Sequence, residues 1–155
     1  MVQLRDYQRS AINGIITELK TAQSTLVVSP TGTGKTILFA EAARLAKGRC
    51  MVIAHREELL AQAADKIRGV SGHQPDIEQA GLYASTDEMF QAKAVVASVQ
   101  TLNSKSRQGR RFQRFDPSEF SLIVVDEAHH ACADSYRRVI DWFKKNPKCK
   151  VVGFT

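Results

Sequence analysis

The stretch TLVVSPTGTGKT, residues 25–36, joins a short apolar run to a glycine-rich turn and then to the start of a helical pattern. The apolar run, residues 25–29, lacks polar alternation, which is typical of a strand buried on both faces of a parallel sheet. Gly32 and Gly34 permit positive φ angles in the turn, so that backbone N–H groups can converge on an anion. The order of strand, turn and helix predicts an α/β domain with a phosphate-binding loop.

Four further apolar runs resemble the first in length and in their β-branched residues. They occupy residues 50–54, 94–98, 121–125 and 150–154. One helical pattern, over residues 5–20, precedes these runs, and three others, over residues 35–46, 56–69 and 133–146, lie between them. This alternation predicts a doubly wound, mostly parallel sheet with helices on both faces. The less regular region between the second and third runs predicts a weak strand near residues 77–80 and a short helix near residues 86–91.

Length and composition suit one compact domain over residues 1–155, and we expect a further segment after its final apolar strand. The chain is 43% hydrophobic and 25% charged, as in ordinary globular proteins. No apolar run approaches the about 20 residues of a membrane span, so no membrane partner is expected. Three widely spaced cysteines without a CxxC pair predict reduced thiols and a cytoplasmic location. The net charge of +6 favours an anionic partner such as nucleic acid.

The motif SPTGTGKT carries the candidate phosphate-binding residues. Lys35 can reach the terminal phosphates of a nucleotide, the Thr36 hydroxyl can ligate Mg²⁺, and the helix that starts near Gly34 adds the positive end of its dipole. Ser29 stands where the strict pattern has glycine, and Pro30 already fixes much of that turn. The alternative is a glycine-rich turn with a solvated lysine. The candidate nucleotide-binding residues of this loop are Pro30, Thr31, Gly32, Thr33, Gly34, Lys35 and Thr36.

The acidic partner of this loop is the segment LIVVDEAHH, residues 122–130. Asp126 and Glu127 follow an apolar run, at the carboxyl edge where open α/β sheets bind ligands. We expect Asp126 to hold Mg²⁺ and Glu127 to act as general base on the attacking water. The alternative is a helix start, with Asp126 as the cap and Glu127 favouring the dipole. His129 is the candidate sensor of the γ-phosphate.

Taken together, these motifs resemble superfamily 2 helicases and translocases of the DEAH-box-like type. The resemblance rests on LRDYQ at residues 4–8, SPTGTGKT, VIAHREELLAQ at residues 52–62, ASVQTL at residues 97–102, DEAH at residues 126–129 and GFT at residues 153–155. Within that superfamily, the chain is similar to RadD-like or Ssl2-like DNA-repair translocases and to the motor subunits of type III restriction enzymes.

The resemblance implies a RecA-like P-loop NTPase domain that uses ATP and Mg²⁺ and moves on nucleic acid, DNA rather than RNA. It assigns the reading of adenine to Gln8 and Arg5, and it implies a cytoplasmic or nucleoid-associated protein. It also implies a second RecA-like domain of the same polypeptide, which supplies arginine fingers. Such fingers contribute a factor of about 10³ to 10⁵ in rate. We therefore expect the isolated domain to be nearly inactive.

Candidate nucleic-acid contacts lie at the ends of two of the strands and in one basic stretch. Arg56 leaves the second apolar run and either donates to a phosphate or starts a solvated helix. The short polar side chains of Ser98, Gln100 and Thr101 either bind phosphates or cap a helix. Residues 104–114, SKSRQGRRFQR, contain Arg110 and Arg111 and no acidic residue. This stretch is either a phosphate-binding surface or a mobile surface loop.

Two other functions use the same motifs. A P-loop kinase for a small molecule needs a lid with paired arginines, a role that Arg110 and Arg111 can imitate. A nucleotide-gated nucleic-acid-binding module needs the phosphate-binding loop but no turnover at Glu127. The adjacent Asp126 and Glu127 favour hydrolysis over phosphate transfer to a metabolite.

Overall fold

The computed structural model describes residues 3–29 and 34–155. Within them, the chain forms five α-helices and eight β-strands, with short 3₁₀ turns between several of them. The helices are α1 (Asp6–Leu19), α2 (Lys35–Leu45), α3 (Leu60–Ser71), α4 (Val99–Asn103) and α5 (Asp134–Phe143). The strands are β1 (Ser24–Val27), β2 (Arg49–Ala54), β3 (Asp76–Glu78), β4 (Ala94–Ser98), β5 (Lys105–Ser106), β6 (Gly109–Arg110), β7 (Phe120–Asp126) and β8 (Lys150–Phe154).

Six of the strands form one parallel sheet in the order β1-β8-β7-β2-β4-β3. The central strand β2 is buried along its whole length, and its side chains alternate between two apolar clusters. Cys50 and Val52 join one cluster with α1, α2 and α3, whereas Met51 and Ile53 join the other with α4 and α5. Helices therefore cover both faces, and the predicted doubly wound α/β fold is confirmed.

The structure contains strands at the five apolar runs and helices at the four long helical patterns, and three other details of the predictions differ from it. The helix predicted over residues 56–69 begins as a 3₁₀ turn at Glu57–Leu59 and continues as α3. The helix predicted near residues 86–91 is wrong: the chain makes a turn there, closed by the Phe90 N–H donating to the Asp87 carbonyl.

The prediction that the first run is buried on both faces is also wrong. Among the described residues β1 pairs only with β8, and the Leu26 side chain is 58% exposed. A strand with one neighbour keeps an open edge, so its apolar side chains are covered on fewer sides than those of β2 or β7.

Candidate functional site

The two predicted halves of the nucleotide site meet at the carboxyl edge of the sheet. The Lys35 ammonium lies 3.9 Å from Asp126 Oδ1 and 3.7 Å from Glu127 Oε1. Lys35 is the first residue of α2, which follows β1, and Asp126 is the last residue of β7. Strand β8 lies between β1 and β7, and the three parallel strands end together. The sheet therefore brings side chains 91 residues apart into one cluster.

Backbone geometry directs Glu127 towards this cluster. Glu127 has φ +52° and ψ +52°, a left-handed conformation that a non-glycine residue adopts at a cost. Its N–H donates to Asp126 Oδ1 over 2.9 Å. The chain turns sharply out of β7 at this point, so two consecutive carboxylates face the same lysine instead of opposite faces of the sheet.

The cluster holds more negative charge than Lys35 can neutralise. Two carboxylates face one ammonium, which leaves one net negative charge. Asp126 is only 8% exposed. Burial raises the pKa of Asp126 above its ordinary value, the proximity of Lys35 opposes the rise, and the neighbouring Glu127 carboxylate adds to it. The ionised Asp126 and Glu127 carboxylates therefore lack one compensating positive charge.

The donors of this cluster suit magnesium. Mg²⁺ prefers oxygen ligands and usually takes one or two carboxylates, completing its shell with water and substrate phosphates. Asp126 supplies a carboxylate with uncompensated charge, and Thr36 offers a hydroxyl from the first turn of α2. Within residues 3–29 and 34–155, no group of three or more His, Cys, Asp or Glu side chains is arranged to hold a metal by itself.

Asp126→Asn is expected to raise the melting temperature of the nucleotide-free protein at pH 7. Because the pKa of Asp126 is higher in the folded protein than in the unfolded one, ionisation of this carboxylate lowers the free energy of unfolding. This loss disappears as the pH falls through the pKa of the folded state, where the carboxyl group is protonated. The gain should therefore shrink towards acidic pH. Thermal unfolding at several pH values measures it. The same variant should lose the Mg²⁺-dependent part of ATP binding in calorimetry. A lower melting temperature at pH 7 would contradict this account of Asp126.

The predicted adenine-reading residues lie beside the end of the phosphate-binding loop. Gln8 is buried in the first turns of α1, where its Oε1 accepts the Arg5 backbone N–H over 2.9 Å. Gly34 has φ +75°, and a Cβ at that position would lie 2.8 Å from Gln8 Nε2. Only glycine permits this close approach without a shift of Gln8. Four other predicted residues of the loop lie outside the described residues: Pro30, Thr31, Gly32 and Thr33.

His129 connects the acidic segment to the end of β8. Its Nδ1 lies 3.1 Å from Thr155 Oγ1 and 3.5 Å from Glu127 Oε2. The second contact places His129 beside Glu127, the general base that the sequence predicts. Its proposed role as a γ-phosphate sensor stays a prediction.

Sequence reasoning gave no role to His130, which the structure places in a ring stack. The His130 and His55 rings are 4.3 Å apart and inclined by 13°, and the Tyr136 hydroxyl lies 3.4 Å from His55 Nδ1. Desolvation lowers the pKa of His130, and the neighbouring His55 and His129 rings lower it further. A neutral His130 can stack without charge repulsion. The stack joins the turn after β7 to the turn after β2, a contact 75 residues apart that no local pattern signals.

The predicted nucleic-acid residues divide into exposed and engaged side chains. Arg56 and Gln100 are exposed and lie on the same surface depression, which His55 also lines. Ser98 is buried, and its Oγ caps α4 by accepting the Thr101 N–H. The Thr101 hydroxyl donates to Glu57 Oε1 over 3.2 Å. The capping alternative therefore describes Ser98 and Thr101, whereas Arg56 and Gln100 face solvent.

Several arginines of the basic stretch make defined contacts within the fold, and the stretch is not uniformly exposed. Arg111 Nε donates over 2.6 Å to Glu78 Oε1, and Glu78 is completely buried. Arg114 also donates to Glu78, and Arg110 donates to the Asn103 carbonyl over 2.9 Å. The prediction that Arg111 contacts nucleic acid is not supported, because its guanidinium neutralises a buried carboxylate.

The cysteines and the lengths of the helices bear on two expectations drawn from the composition. The three cysteines are free thiols, two of them buried. No helix within the described ranges is long and apolar enough to cross a membrane.

Comparison with protein families gives a match along the whole chain. The model of the family described as type III restriction enzyme, res subunit, matches residues 1–155. The putative ATP-dependent helicase IRC3 of Saccharomyces cerevisiae is 32% identical over 98% of this chain. The putative DNA 3'-5' helicase Rad25 of Haloarcula marismortui is 30% identical over 90% of this chain. The chain spans only 23% and 21% of the lengths of these two relatives.

Solved structures give the same fold. The helicase domain of Pyrococcus furiosus Hef superposes with a TM-score of 0.73 and 27% identity, over 99% of this chain and 33% of that one. The UvsW helicase of bacteriophage T4 superposes with a TM-score of 0.71 and 22% identity, over 99% of this chain and 52% of that one. The RecA-like architecture predicted from the motifs is therefore confirmed.

Proposed function

The chain belongs to the type III restriction enzyme res subunit family and has the RecA-like fold of superfamily 2 helicase motor domains. From this premise we propose that it is the N-terminal motor domain of such a helicase. In this role it binds ATP with Mg²⁺ and couples ATP hydrolysis to movement on nucleic acid. The observation that carries the proposal is the position of Lys35 within 4 Å of both Asp126 and Glu127. A structural ion pair needs one carboxylate, whereas hydrolysis needs a metal-binding carboxylate and a second one to activate water.

Each residue of the cluster then has a role in hydrolysis. Lys35 binds the terminal phosphates and stabilises the charge that develops on them. Thr36 and Asp126 hold Mg²⁺, which neutralises phosphate oxygens when bound. Glu127 orients the attacking water and accepts its proton, and His129, bonded to Thr155, fixes the position of Glu127. Gln8 and Arg5 contact the adenine base at the start of α1.

We propose single-stranded DNA, rather than RNA, as the track. The net charge of +6 and the exposure of Arg56 and Gln100 at the same sheet edge as the nucleotide site support a polyanionic track. The choice of DNA rests on the name of the Haloarcula marismortui relative, a putative DNA 3'-5' helicase. We also propose a cytoplasmic location, for which the free thiols are the only support. The second RecA-like domain is proposed from the family, and without its arginine fingers we expect only slow hydrolysis.

The test is phosphate release by the protein together with its second motor domain, with single-stranded DNA, duplex DNA or RNA added in turn. We expect release that needs Mg²⁺ and increases with DNA. Transfer of phosphate to a metabolite would identify a kinase instead. ATP binding without release under every condition would identify a nucleotide-gated binding module. Greater stimulation by RNA than by DNA would overturn the choice of track.

A further inference from the structure

A second anion-binding candidate lies outside the nucleotide site, where β5 and β6 form a small hairpin. Lys105 pairs with Arg110 and Ser106 with Gly109. The turn is held by the Ser106 hydroxyl, which donates to the Gly109 carbonyl and accepts the Gln108 N–H. Gly109 has φ +107°, which favours glycine. The hairpin is thus a defined structure and not a solvated loop.

The hairpin forms one wall of a pocket of about 220 Å³. At about 30 Å³ for each water molecule, this volume equals roughly seven waters, which is room for a phosphate group and part of its sugar. Four of the residues around the pocket are cationic and none is acidic. The cationic residues are Lys105, Arg110, Arg111 and Arg114, and Tyr83 also lines the pocket.

Hydrogen bonds to the buried Glu78 carboxylate hold the base of the pocket in place. Glu78 Oε1 accepts Arg111 Nε, and Oε2 accepts the Ala84 N–H over 2.5 Å. Arg111 also donates to the carbonyls of Ala80 and Leu82. With its donors committed in this way, Arg111 orders the segment after β3 and leaves the recognition of a ligand to the hairpin.

Tyr83 gives the pocket an aromatic side. The Arg111 guanidinium lies 3.9 Å from the centre of the Tyr83 ring, an arrangement that holds the ring in place through a cation–π contact. The Tyr83 side chain remains 62% exposed. Single-stranded nucleic acid stacks its bases on exposed aromatic rings that lie beside cationic groups.

We propose that this pocket binds one nucleotide of a single strand, with the phosphate at Lys105 and Arg110 and the base on Tyr83. The proposal deepens the proposed function, because it extends the same track beyond Arg56 and Gln100. Glu78, whose carboxylate accepts from Arg111 of the pocket, is the last residue of β3, and β3 belongs to the same parallel sheet as β2, which Arg56 follows.

Lys105→Gln tests the phosphate contact. Lys105 is exposed, so the substitution should leave the melting temperature and ATP binding unchanged. Each phosphate contact on a single strand contributes about 0.7 to the slope of log affinity against log salt. We expect the slope for a single-stranded oligonucleotide, measured by anisotropy without nucleotide, to decrease by about 0.7. The matched control Lys66→Gln, on the exposed side of α3, should keep the wild-type slope.

Tyr83→Leu tests the stacking contact separately. Loss of one stacked base should weaken binding about 5- to 150-fold and leave the salt slope unchanged, since no charge is removed. Melting temperature and ATP binding report whether the variant folds. Unchanged affinity in a folded Tyr83→Leu variant, or an unchanged slope in Lys105→Gln, would overturn the pocket as a nucleotide site.

The two proposals can fail independently. If DNA stimulates phosphate release by the wild-type protein but neither Lys105→Gln nor Tyr83→Leu changes DNA binding, the motor function stands and the pocket is not a nucleotide site. A wild-type protein without phosphate release whose salt slope still decreases in Lys105→Gln would keep the pocket and remove the motor function.

Discussion

Replacing Glu127 with glutamine is expected to slow single-turnover ATP hydrolysis by about 10²- to 10⁴-fold, the usual contribution of a general base, while Mg²⁺-dependent ATP binding is retained. Glutamine keeps the length of the side chain and its hydrogen bonding but cannot accept a proton. Asp126 and Lys35, which we assign to the metal and the phosphates, remain in place. Rapid-quench hydrolysis and calorimetric titration of ATP, on the protein together with its second motor domain, measure the two effects.

A control for this result is Glu18→Gln, the same change on the exposed side of α1. It should preserve both hydrolysis and binding. Asp126→Asn should differ from both variants, because it removes metal-dependent binding and hydrolysis together. Hydrolysis by Glu127→Gln at the wild-type rate would contradict the role of Glu127 and favour the nucleotide-gated binding module.

The sheet and the acidic half of the site were predictable because their signals are local. Each central strand is a continuous apolar run, and Asp126 directly follows one of them. The carboxyl ends of parallel strands share one edge, so the approach of Lys35 to Asp126 follows from topology without side-chain detail. The exposed edge of β1 could not be predicted, because an apolar run does not reveal how many neighbours its strand has.

The basic stretch shows where local signals mislead. The sequence indicates a free cation at Arg111, because no acidic residue lies near it along the chain. Its partner is Glu78, which lies 33 residues away on a strand of three residues. The His55–His130 stack has the same origin, since it joins two turns through the fold alone. Ser98 and Thr101 were open to two interpretations, and the tertiary contact of Thr101 with Glu57 favours the structural one.

Replacing Glu78 with alanine is expected to cause the largest loss of stability. Glu78→Ala leaves Arg111 and Arg114 without their common acceptor and leaves the Ala84 N–H unpaired. Removing one partner of a buried ion pair costs about 3–5 kcal/mol. At about 2–4 °C per kcal/mol for a domain of this size, we expect a decrease in melting temperature of roughly 6–20 °C.

The matched control is Asp65→Ala, which removes a carboxylate from an exposed pair, with Arg68 3.9 Å away. Exposed pairs contribute about 0–1 kcal/mol, so the control should change the melting temperature by at most a few degrees. The double variant Glu78→Ala with Arg111→Ala should lose less stability than the sum of the two single changes, because the second change removes one of the stranded cations. Equal losses in Glu78→Ala and Asp65→Ala would contradict the buried cluster. They would also leave the pocket beside the hairpin without its rigid base.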